Sequence, residues 1–336
     1  MNLKTYKREV KNELHSILGW WIKHAIDKKN GGFYGKINNS NKSEPQAVKG
    51  LVLNARILYT FSSAFLLAPK KSYLKIANRA FDYLLKTFFD TTNGGFYWSV
   101  KYNGEVADSK KQVYGQAFVI YALAEYYKAT SDIKALETAK NCFMLLEKHS
   151  FDSENTGYLE AFTQNWAPIA DLRLSDKDQN EKKSMNTHLH IVEAYANLYA
   201  IWKDERLKSA IQQLLNNFKN HIINPANYHL NLFFNEKWEV KSTSISYGHD
   251  IEAAWLLLEA AESINEKQQI EEFKATALKI TEATTKGLDE NGGLWYEFDP
   301  ISQHLTKELH WWPQAEAMVG FLNAWQISKN EVYLTK

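Results

Sequence analysis

The sequence predicts an all-α protein of the (α/α)6 barrel type, and three features of the 336-residue chain lead to this fold class. A glycine-aromatic loop recurs about every sixty residues, which indicates an internal repeat. Between the loops, apolar residues recur at intervals of three and four, and almost no strand pattern is longer than three or four residues. One helix of each predicted pair is apolar nearly all round and the other is more charged, so inner and outer helices alternate.

The repeated loop is recognised by an Asn or Thr that precedes glycine or aromatic residues. Its copies are Asn30-Gly31-Gly32-Phe33-Tyr34, Asn93-Gly94-Gly95-Phe96-Tyr97, Thr156-Gly157-Tyr158-Leu159, a degenerate Asn227-Tyr228-His229-Leu230, and Asn291-Gly292-Gly293-Leu294-Trp295-Tyr296. Asn and Gly tolerate the left-handed conformation that ends a helix. Each copy therefore predicts the end of a helix followed by a short extended turn.

The periodic segments between the loops predict ten helices. Their expected ranges are 2–26, 47–67, 72–88, 110–128, 132–148, 183–203, 205–222, 246–264, 266–288 and 313–328. We expect Asp132 to cap the fifth helix and Pro313 to occupy the first position of the tenth. The polar segment 164–181 lacks periodicity and reads as an insertion.

The inner helices are predicted from segments that are apolar and rich in small residues around their circumference. These segments are 50–59, 115–124, 189–200, 253–260 and 315–324. A ring of this type closes with six pairs, and the chain supplies one outer helix first and then five inner helices. We therefore expect a single domain over 1–336 that lacks one helix pair after Trp325.

Composition excludes several classes of protein. Lys plus Arg (40) nearly cancel Asp plus Glu (39), which argues against a nucleic-acid surface or a polybasic membrane anchor. Cys142 is the only cysteine, so no intrachain disulfide forms and a reducing compartment is expected. With a polar amino end and no run of ~18 apolar residues, the sequence predicts a cytoplasmic protein.

Aromatic residues make up 14% of the chain. Aromatic faces stack on sugar rings, but they also fill protein cores, so this content favours a carbohydrate site only slightly.

The entrance of the eighth helix carries the first candidate site. His249 and Glu252 stand three residues apart and project from one face of that helix. An imidazole can remove and return protons near neutral pH, and a neighbouring carboxylate can orient it. The alternative is a buried His-Glu pair that serves packing alone.

Two further inner helices carry candidate residues. Arg56 has apolar neighbours and is expected to be buried, where it either pairs with a carboxylate or faces a cavity in which negative charge develops. His188 and His190 point about 200° apart on a helix, so at most one is functional. We choose His190, because Asn186 and Glu193 lie on its side. No other ligand cluster accompanies these histidines, so no metal site is expected.

The tenth helix opens with adjacent tryptophans. Trp311 and Trp312 precede Pro313, and Glu316 follows a turn inside the helix. The tryptophans either line the mouth of a site or cap the core.

These residues resemble the cellobiose 2-epimerase branch of the N-acylglucosamine 2-epimerase superfamily. The resemblance rests on Arg56, the segment 183–190 with Asn186-Thr187-His188-Leu189-His190, the segment 246–255 with Ser246-Tyr247-Gly248-His249-Asp250-Ile251-Glu252, and the segment 310–316. It covers essentially the whole chain, and these strings, unlike the glycine loops, are specific to the branch. The resemblance implies an α/α six-fold barrel that needs no metal or nucleotide cofactor.

The resemblance also implies a reaction, the inversion of C2 in the reducing-end glucose or mannose of a β-1,4-linked disaccharide such as cellobiose, lactose or mannobiose. One histidine removes the C2 proton from the opened sugar, an enediolate forms, and another histidine returns a proton to the opposite face. His249 corresponds to one acid/base group, and Glu252 orients it or supports ring opening. Arg56 and His190 correspond to residues that stabilise the oxyanion. The sugar-holding positions are Tyr114, Asp178, Asn186, Trp312 and Glu316.

The sequence departs from the family pattern at its carboxyl end. Family members continue with another helix pair, whose Pro-Tyr-His string supplies the second acid/base histidine, and no such string precedes Lys336. We do not expect His310 to substitute, because it precedes its helix. The expectation is a truncated or frameshifted product, a ring closed by a partner chain, or an open ring. The expected partner is a disaccharide, with no nucleic acid and no membrane, and the protein is expected to be a monomer, or a dimer if a partner completes the ring.

Three other functions stay open at this point. The first is a sugar-binding barrel that is inactive or impaired because it lacks the second histidine. The second is a glycosidase or lyase that uses Glu252 and Glu316. The third is an aldose-ketose isomerase on the same scaffold.

Overall fold

The computed structural model describes residues 2–336 and is built from helices joined by short strands. The helices are α1 (Leu3–His24), α2 (Leu51–Leu67), α3 (Lys71–Tyr83), α4 (Val113–Thr130), α5 (Ile133–His149), α6 (Met185–Tyr199), α7 (Glu205–Asn217), α8 (Tyr247–Ile264), α9 (Lys267–Thr284) and α10 (Trp311–Ser328). The ten helices predicted from periodicity are thus confirmed within the described residues. No α-helix in this part of the chain is long and apolar enough to cross a bilayer.

The strands contain two or three residues each and pair in antiparallel fashion. They are β1 (Lys49–Gly50), β2 (Ser99–Val100), β3 (Val106–Asp108), β4 (Lys111–Gln112), β5 (Ala161–Phe162), β6 (Lys183–Ser184), β7 (Phe233–Phe234), β8 (Ile245–Ser246), β9 (Glu297–Asp299) and β10 (His304–Thr306). They form sheets in the orders β1-β2-β3, β4-β5, β6-β7 and β10-β9-β8. Strands β1, β4, β6 and β8 run directly into α2, α4, α6 and α8, so sheet pairing fixes where these helices begin.

Several predicted helix ends differ from the observed ones. Three outer helices end in a turn of another helix type. This turn is a wider π-helix at Leu84–Phe88 and Phe218–Ile222, and a tighter 3-10 helix at Thr285–Gly287. Asp132 caps α5 as predicted, since its side chain accepts hydrogen bonds from the next turn. The placement of Pro313 at the first position of α10 is wrong, because the helix begins at Trp311. Pro313 is still tolerated there, since the N–H groups of the first turn have no partner inside the helix.

Backbone contacts divide the chain into two compact units, and each is described by itself. The first contains residues 2–150 and 161–174, and the second contains 151–160 and 175–336. In the first unit α2 packs against α3 and α4, and α4 packs against α5. In the second, α6 packs against α7 and α8, while α8 also packs against α9 and α10. The expectation of a single domain stays a prediction.

Burial separates inner helices from outer ones. Helices α2, α4, α6 and α8 bury most of their circumference, as their composition predicts. The outer helices α3, α5, α7 and α9 each bury one face. Helix α10 departs from the prediction of an inner helix buried all round, because Trp311, Met318 and Val319 are exposed. Its buried residues Ala317 and Phe321 pack with α8 in one apolar cluster.

The repeated loops are held by one recurring contact. The fourth residue of an inner helix accepts a hydrogen bond from the backbone N–H that follows the loop, over 2.9 Å in each case. The pairs are Gln116 with Phe96, His188 with Tyr158, Asp250 with Leu230, and Gln314 with Leu294. The left-handed conformation expected for the loops is present at Gly31, Gly94, Gly157 and Gly292, and Tyr228 adopts it in the degenerate copy.

A second recurring contact is a buried ion pair between each early loop and the strand before its inner helix. Lys49 pairs with Asp27, and Lys111 pairs with Asp90, over 2.9 Å in both cases. Lys183 pairs with Asp152 over 2.7 Å. Burial alone would raise the pKa of each carboxyl group, but hydrogen bonds from the lysine and from the loop hold it below its usual value. At the corresponding place in the last two repeats stand Ile245 and Leu309.

Candidate active site

The second unit brings together two of the predicted histidines at the entrances of α6 and α8. His190 lies in α6 and His249 in α8, and these helices pack against each other. His249 is partly accessible to solvent, but the protein surrounds its ring. This desolvation, together with the nearby His190, lowers the pKa of His249 to about 3. The ring is therefore neutral around pH 7 and offers a lone pair.

The partner of His249 is not the one that the sequence suggests. Its Nδ1 lies 2.8 Å from the Ser246 hydroxyl, at the last residue of β8. Glu252 was expected to orient His249, but its carboxylate lies beside His190, with 3.8 Å between Glu252 Oε1 and His190 Nε2. The Ser246 hydroxyl can orient His249 because residue 246 occupies the position just before α8, three residues ahead of His249, and its side chain makes no capping bond to the helix. The ring of Trp312 covers His249, with 4.7 Å between the ring centroids.

Trp312 reaches this place because residue 248 is glycine. A Cβ atom on Gly248 would lie 2.6 Å from the indole of Trp312, which is closer than such atoms approach. The helix entrance therefore presents bare backbone to the indole. This contact was not predicted, although the sequence places Gly248 directly before His249.

Each ring nitrogen of His190 lies near a carboxylate. Its Nδ1 lies 3.0 Å from Glu193 Oε2, as the spacing of these residues predicts, and Glu252 lies on the Nε2 side. One turn earlier, the side-chain oxygen of Asn186 is buried and has no hydrogen-bond partner within residues 2–336. Buried polar atoms are normally satisfied, so this acceptor is suited to a hydroxyl of a bound molecule.

Glu316 is held by an indole from the neighbouring helix. Trp255 Nε1 donates a hydrogen bond to Glu316 Oε2 over 2.9 Å, between α8 and α10. Trp255 was not assigned a role from the sequence. Its spacing from Glu252, three residues along α8, would have placed both side chains near one face. Trp311 is 75% exposed, so it does not cap the core.

Asp178 has a local role in the structure. Its carboxylate accepts hydrogen bonds from the backbone N–H and the hydroxyl of Ser175, over 2.8 and 2.9 Å. These bonds close a turn within the insertion. The sugar-binding role of Asp178 stays a prediction.

Arg56 and Tyr114 belong to the first unit, on α2 and α4. The prediction that Arg56 is buried is wrong, because its side chain is exposed. Its guanidinium lies over the Phe118 ring at 4.5 Å from the centroid, and Nη2 donates to Tyr114 Oη over 3.5 Å. An aromatic face and one hydroxyl take the place of the carboxylate that a buried arginine would need.

His188 has a structural role, as the choice of His190 implies. Its Nδ1 donates to the carbonyl of Ser184 over 2.7 Å, and its Nε2 accepts from the N–H of Tyr158. Burial lowers the pKa of His188 to about 3, so the ring is neutral. Among the described residues, no three His, Cys, Asp or Glu side chains form a group that could hold a metal ion.

Glu160 is a buried titratable group that sequence reasoning missed. It accepts hydrogen bonds from Ser184 N and Thr187 Oγ1 at the start of α6, over 2.7 and 2.5 Å. Burial raises the pKa of Glu160 to about 8. Only its position after the loop that contains Tyr158 could have identified it, because a single glutamate gives no periodic signal.

Comparison with known proteins identifies the family of this chain. The family model for N-acylglucosamine 2-epimerase matches residues 32–336. The cellobiose 2-epimerase of Bacteroides fragilis is 46% identical over 318 residues, which cover 94% of this chain and 81% of the relative. That of Dictyoglomus turgidum is 39% identical over 335 residues, covering 99% of this chain and 85% of the relative.

Solved structures extend the likeness to the fold. The cellobiose 2-epimerase of Bacillus thermoamylovorans gives a TM-score of 0.94 at 37% identity, covering 99% of this chain and 85% of that one. The enzyme of Spirochaeta thermophila gives 0.91 at 39% identity, covering 100% and 84%. A D-mannose isomerase, at 21% identity and a TM-score of 0.85, shows the fold alone. The α/α-barrel class predicted from the sequence is confirmed by these matches.

Proposed function

Because this chain belongs to the N-acylglucosamine 2-epimerase family, we propose that it inverts C2 of the reducing-end glucose or mannose in β-1,4-linked disaccharides such as cellobiose, lactose or mannobiose. Membership of this family shows that the chain is an isomerase of the epimerase type. The substrate class is supported by the cellobiose 2-epimerases that the chain resembles over most of its length. The observation that carries the proposal is a neutral His249 held by a hydroxyl beside a carboxylate-flanked His190.

His249 is proposed to remove the C2 proton of the opened sugar. Its neutral ring accepts the proton at Nε2, while the electron pair of the C–H bond forms the C1–C2 double bond. The carbonyl oxygen takes up the negative charge and becomes the enediolate oxygen. Return of a proton to the opposite face of C2 gives the epimer, and return to the same face restores the substrate.

His190 is proposed to stabilise the enediolate oxygen. Glu193 and Glu252 face its two ring nitrogens, which suits a protonated ring whose Nε2–H donates to an oxyanion. Glu252, whose carboxylate lies beside His190, is proposed to assist ring opening rather than to orient His249. Arg56 is proposed, on the family resemblance, to stabilise negative charge on the oxyanion; within its own unit its guanidinium lies over the Phe118 ring and donates to the Tyr114 hydroxyl.

The sugar is proposed to bind through the remaining predicted residues. The unpartnered oxygen of Asn186 is suited to a sugar hydroxyl, and the Trp312 indole offers a face for the C–H side of a sugar ring. Glu316 is proposed to accept a hydrogen bond from a sugar hydroxyl, and Trp255 donates to its carboxylate. Tyr114 and Asp178 are also proposed to hold the sugar, in both cases on the family resemblance alone.

Incubation with cellobiose in deuterated water tests the proposal. We expect glucosyl-mannose that carries deuterium at C2, detected by proton NMR and mass spectrometry. A protein with a single working base would introduce deuterium into recovered cellobiose with little epimer. Accumulation of a ketose would identify an aldose-ketose isomerase, and release of monosaccharides would identify a glycosidase. Binding of cellobiose in calorimetry without any exchange in a folded sample would identify a sugar-binding protein and contradict the proposal.

A further inference from the structure

We propose that Ser246 is a positioning residue that lets His249 accept and release a proton at Nε2 without losing its own hydrogen bond. This inference rests on the proposed function, because it concerns the same proton transfer. It follows from a comparison of three histidines in the second unit, whose Nδ1 atoms face three different kinds of partner. These are a carbonyl at His188, a carboxylate at His190 and a hydroxyl at His249.

The partners of His188 fix its ring in one form. The carbonyl of Ser184 can only accept, so Nδ1 carries a hydrogen, and the N–H of Tyr158 can only donate, so Nε2 keeps its lone pair. Any change of protonation would break one of these buried bonds. His188 is therefore excluded from proton transfer by its environment.

The partner of His190 restricts it in a different way. The Glu193 carboxylate accepts from Nδ1 and attracts positive charge on the ring. A ring held in this way is suited to donate to an oxyanion. It is less suited to give up a proton to carbon, because the carboxylate stabilises the charged form.

The Ser246 hydroxyl imposes neither restriction on His249, because a hydroxyl both donates and accepts. When Nδ1 carries the hydrogen, the hydroxyl oxygen accepts it and Nε2 is free to take the C2 proton. When Nε2 carries the hydrogen in a neutral ring, the hydroxyl rotates and donates to Nδ1. The 2.8 Å contact therefore persists in each state. With no carboxylate on Nδ1, the protonated ring readily returns its proton to C2.

The position of Ser246 supports a functional use of its hydroxyl. Ser184 occupies the equivalent place before α6, and its hydroxyl accepts from the N–H of Thr187 over 3.1 Å as an ordinary helix cap. Ser246 also precedes its helix, but its side chain makes no capping bond and bonds His249 instead. Residue 246 is 1% exposed, and β8 fixes its backbone by pairing with Glu297. The hydroxyl is thus directed at the imidazole from a rigid position.

The test compares S246A and S246T in the full-length chain, using C2 deuterium exchange of cellobiose and nitrogen NMR of the histidine rings. We expect S246A to lower kcat for exchange by about 10- to 100-fold with KM within about twofold. S246T, which keeps the hydroxyl, is expected to recover most of that rate. The nitrogen signals of His249 should shift in S246A, while those of His188 stay unchanged.

S184A is the matched control, because it removes the equivalent hydroxyl from α6. We expect it to lower thermal stability and to leave the His249 signals in place. An S246A protein with unchanged His249 signals, or with unchanged kcat, would overturn the inference. The NMR measurement does not depend on turnover. If the wild-type chain failed to exchange C2 of any sugar, a shift of His249 in S246A would show that the positioning role stands and that the proposed function has failed.

Discussion

At the scale of single residues, Arg56 shows how an aromatic face can replace a counter-ion. Its surroundings in the sequence are apolar, which predicted burial and a partner carboxylate. The structure instead leaves the guanidinium exposed, over the ring of Phe118 and hydrogen-bonded to Tyr114. The sequence could not show this arrangement, because the stacking partner comes from another helix.

Replacing Arg56 with lysine separates the charge from the planar group. Lysine keeps the positive charge but lacks the planar fork of donors that lies over Phe118 in the wild type, so R56K should place the charge poorly. We expect kcat for C2 epimerisation of cellobiose to fall about 10²-fold. R206K is the control, because Arg206 is an exposed arginine that pairs with Asp204. Equal kcat values for R56K and the wild type would contradict the role of Arg56.

At the scale of elements, the fourth residue of four inner helices ties a repeated loop to its helix. Gln serves at positions 116 and 314, His at 188 and Asp at 250. The loops themselves were predicted from their glycines, whereas these contacts were not. Three chemically different residue types accept this hydrogen bond, so the sequence has no common residue at the fourth position of these helices.

The repeat suggests a conservative variant, H188Q, which copies the solution found at Gln116 and Gln314. The pKa of His188 in the folded protein, about 3, lies below the ~6.5 of an unfolded histidine. The unfolded chain therefore binds the extra proton, and this stability is present above about pH 6.5 and lost as pH falls toward 3. We expect the free energy of unfolding of H188Q to fall less steeply with acidification, by up to ~1.4 kcal/mol per pH unit.

Urea unfolding at several pH values between 7 and 4 measures this slope. Glu160 contributes in the opposite direction, since its raised pKa gives stability that is lost as pH rises through about 8. Glu160 is present in both proteins, so the difference between them isolates His188. Parallel curves for H188Q and the wild type would show that His188 does not titrate on unfolding in this range.

At the scale of the whole molecule, the helices recur regularly, whereas the buried Lys-Asp ion pairs occur in only some of the repeats. The first three loops carry a Lys-Asp pair, at Lys49, Lys111 and Lys183, while Ile245 and Leu309 replace the lysine later in the chain. Helix number, pairing and class followed from periodicity, because a helix shows its period within its own residues. The ion pairs join residues about twenty to thirty apart in the sequence, so the periodicity within one helix could not predict them.

Removing one buried lysine tests how much these pairs matter. Lys111 and Asp90 are both fully buried, so K111M leaves a carboxylate without its counter-ion. We expect the free energy of unfolding to fall by about 3–5 kcal/mol in urea denaturation. The double variant D90N/K111M should recover part of that loss. K101M, in the exposed Lys101-Glu105 pair, should leave the urea midpoint almost unchanged, and equal effects of K101M and K111M would contradict this account.

The central claim is that the neutral imidazole of His249 removes the proton from C2 of the sugar. The most direct measurement is C2 exchange of cellobiose in deuterated water for the wild type and H249N, with cellobiose binding followed by calorimetry. Asn is close in shape to the near half of the ring and can still bond Ser246, but it cannot take a proton. We expect H249N to bind cellobiose and to exchange C2 at least about 10³-fold more slowly. Exchange at the wild-type rate by a folded H249N protein would contradict the claim.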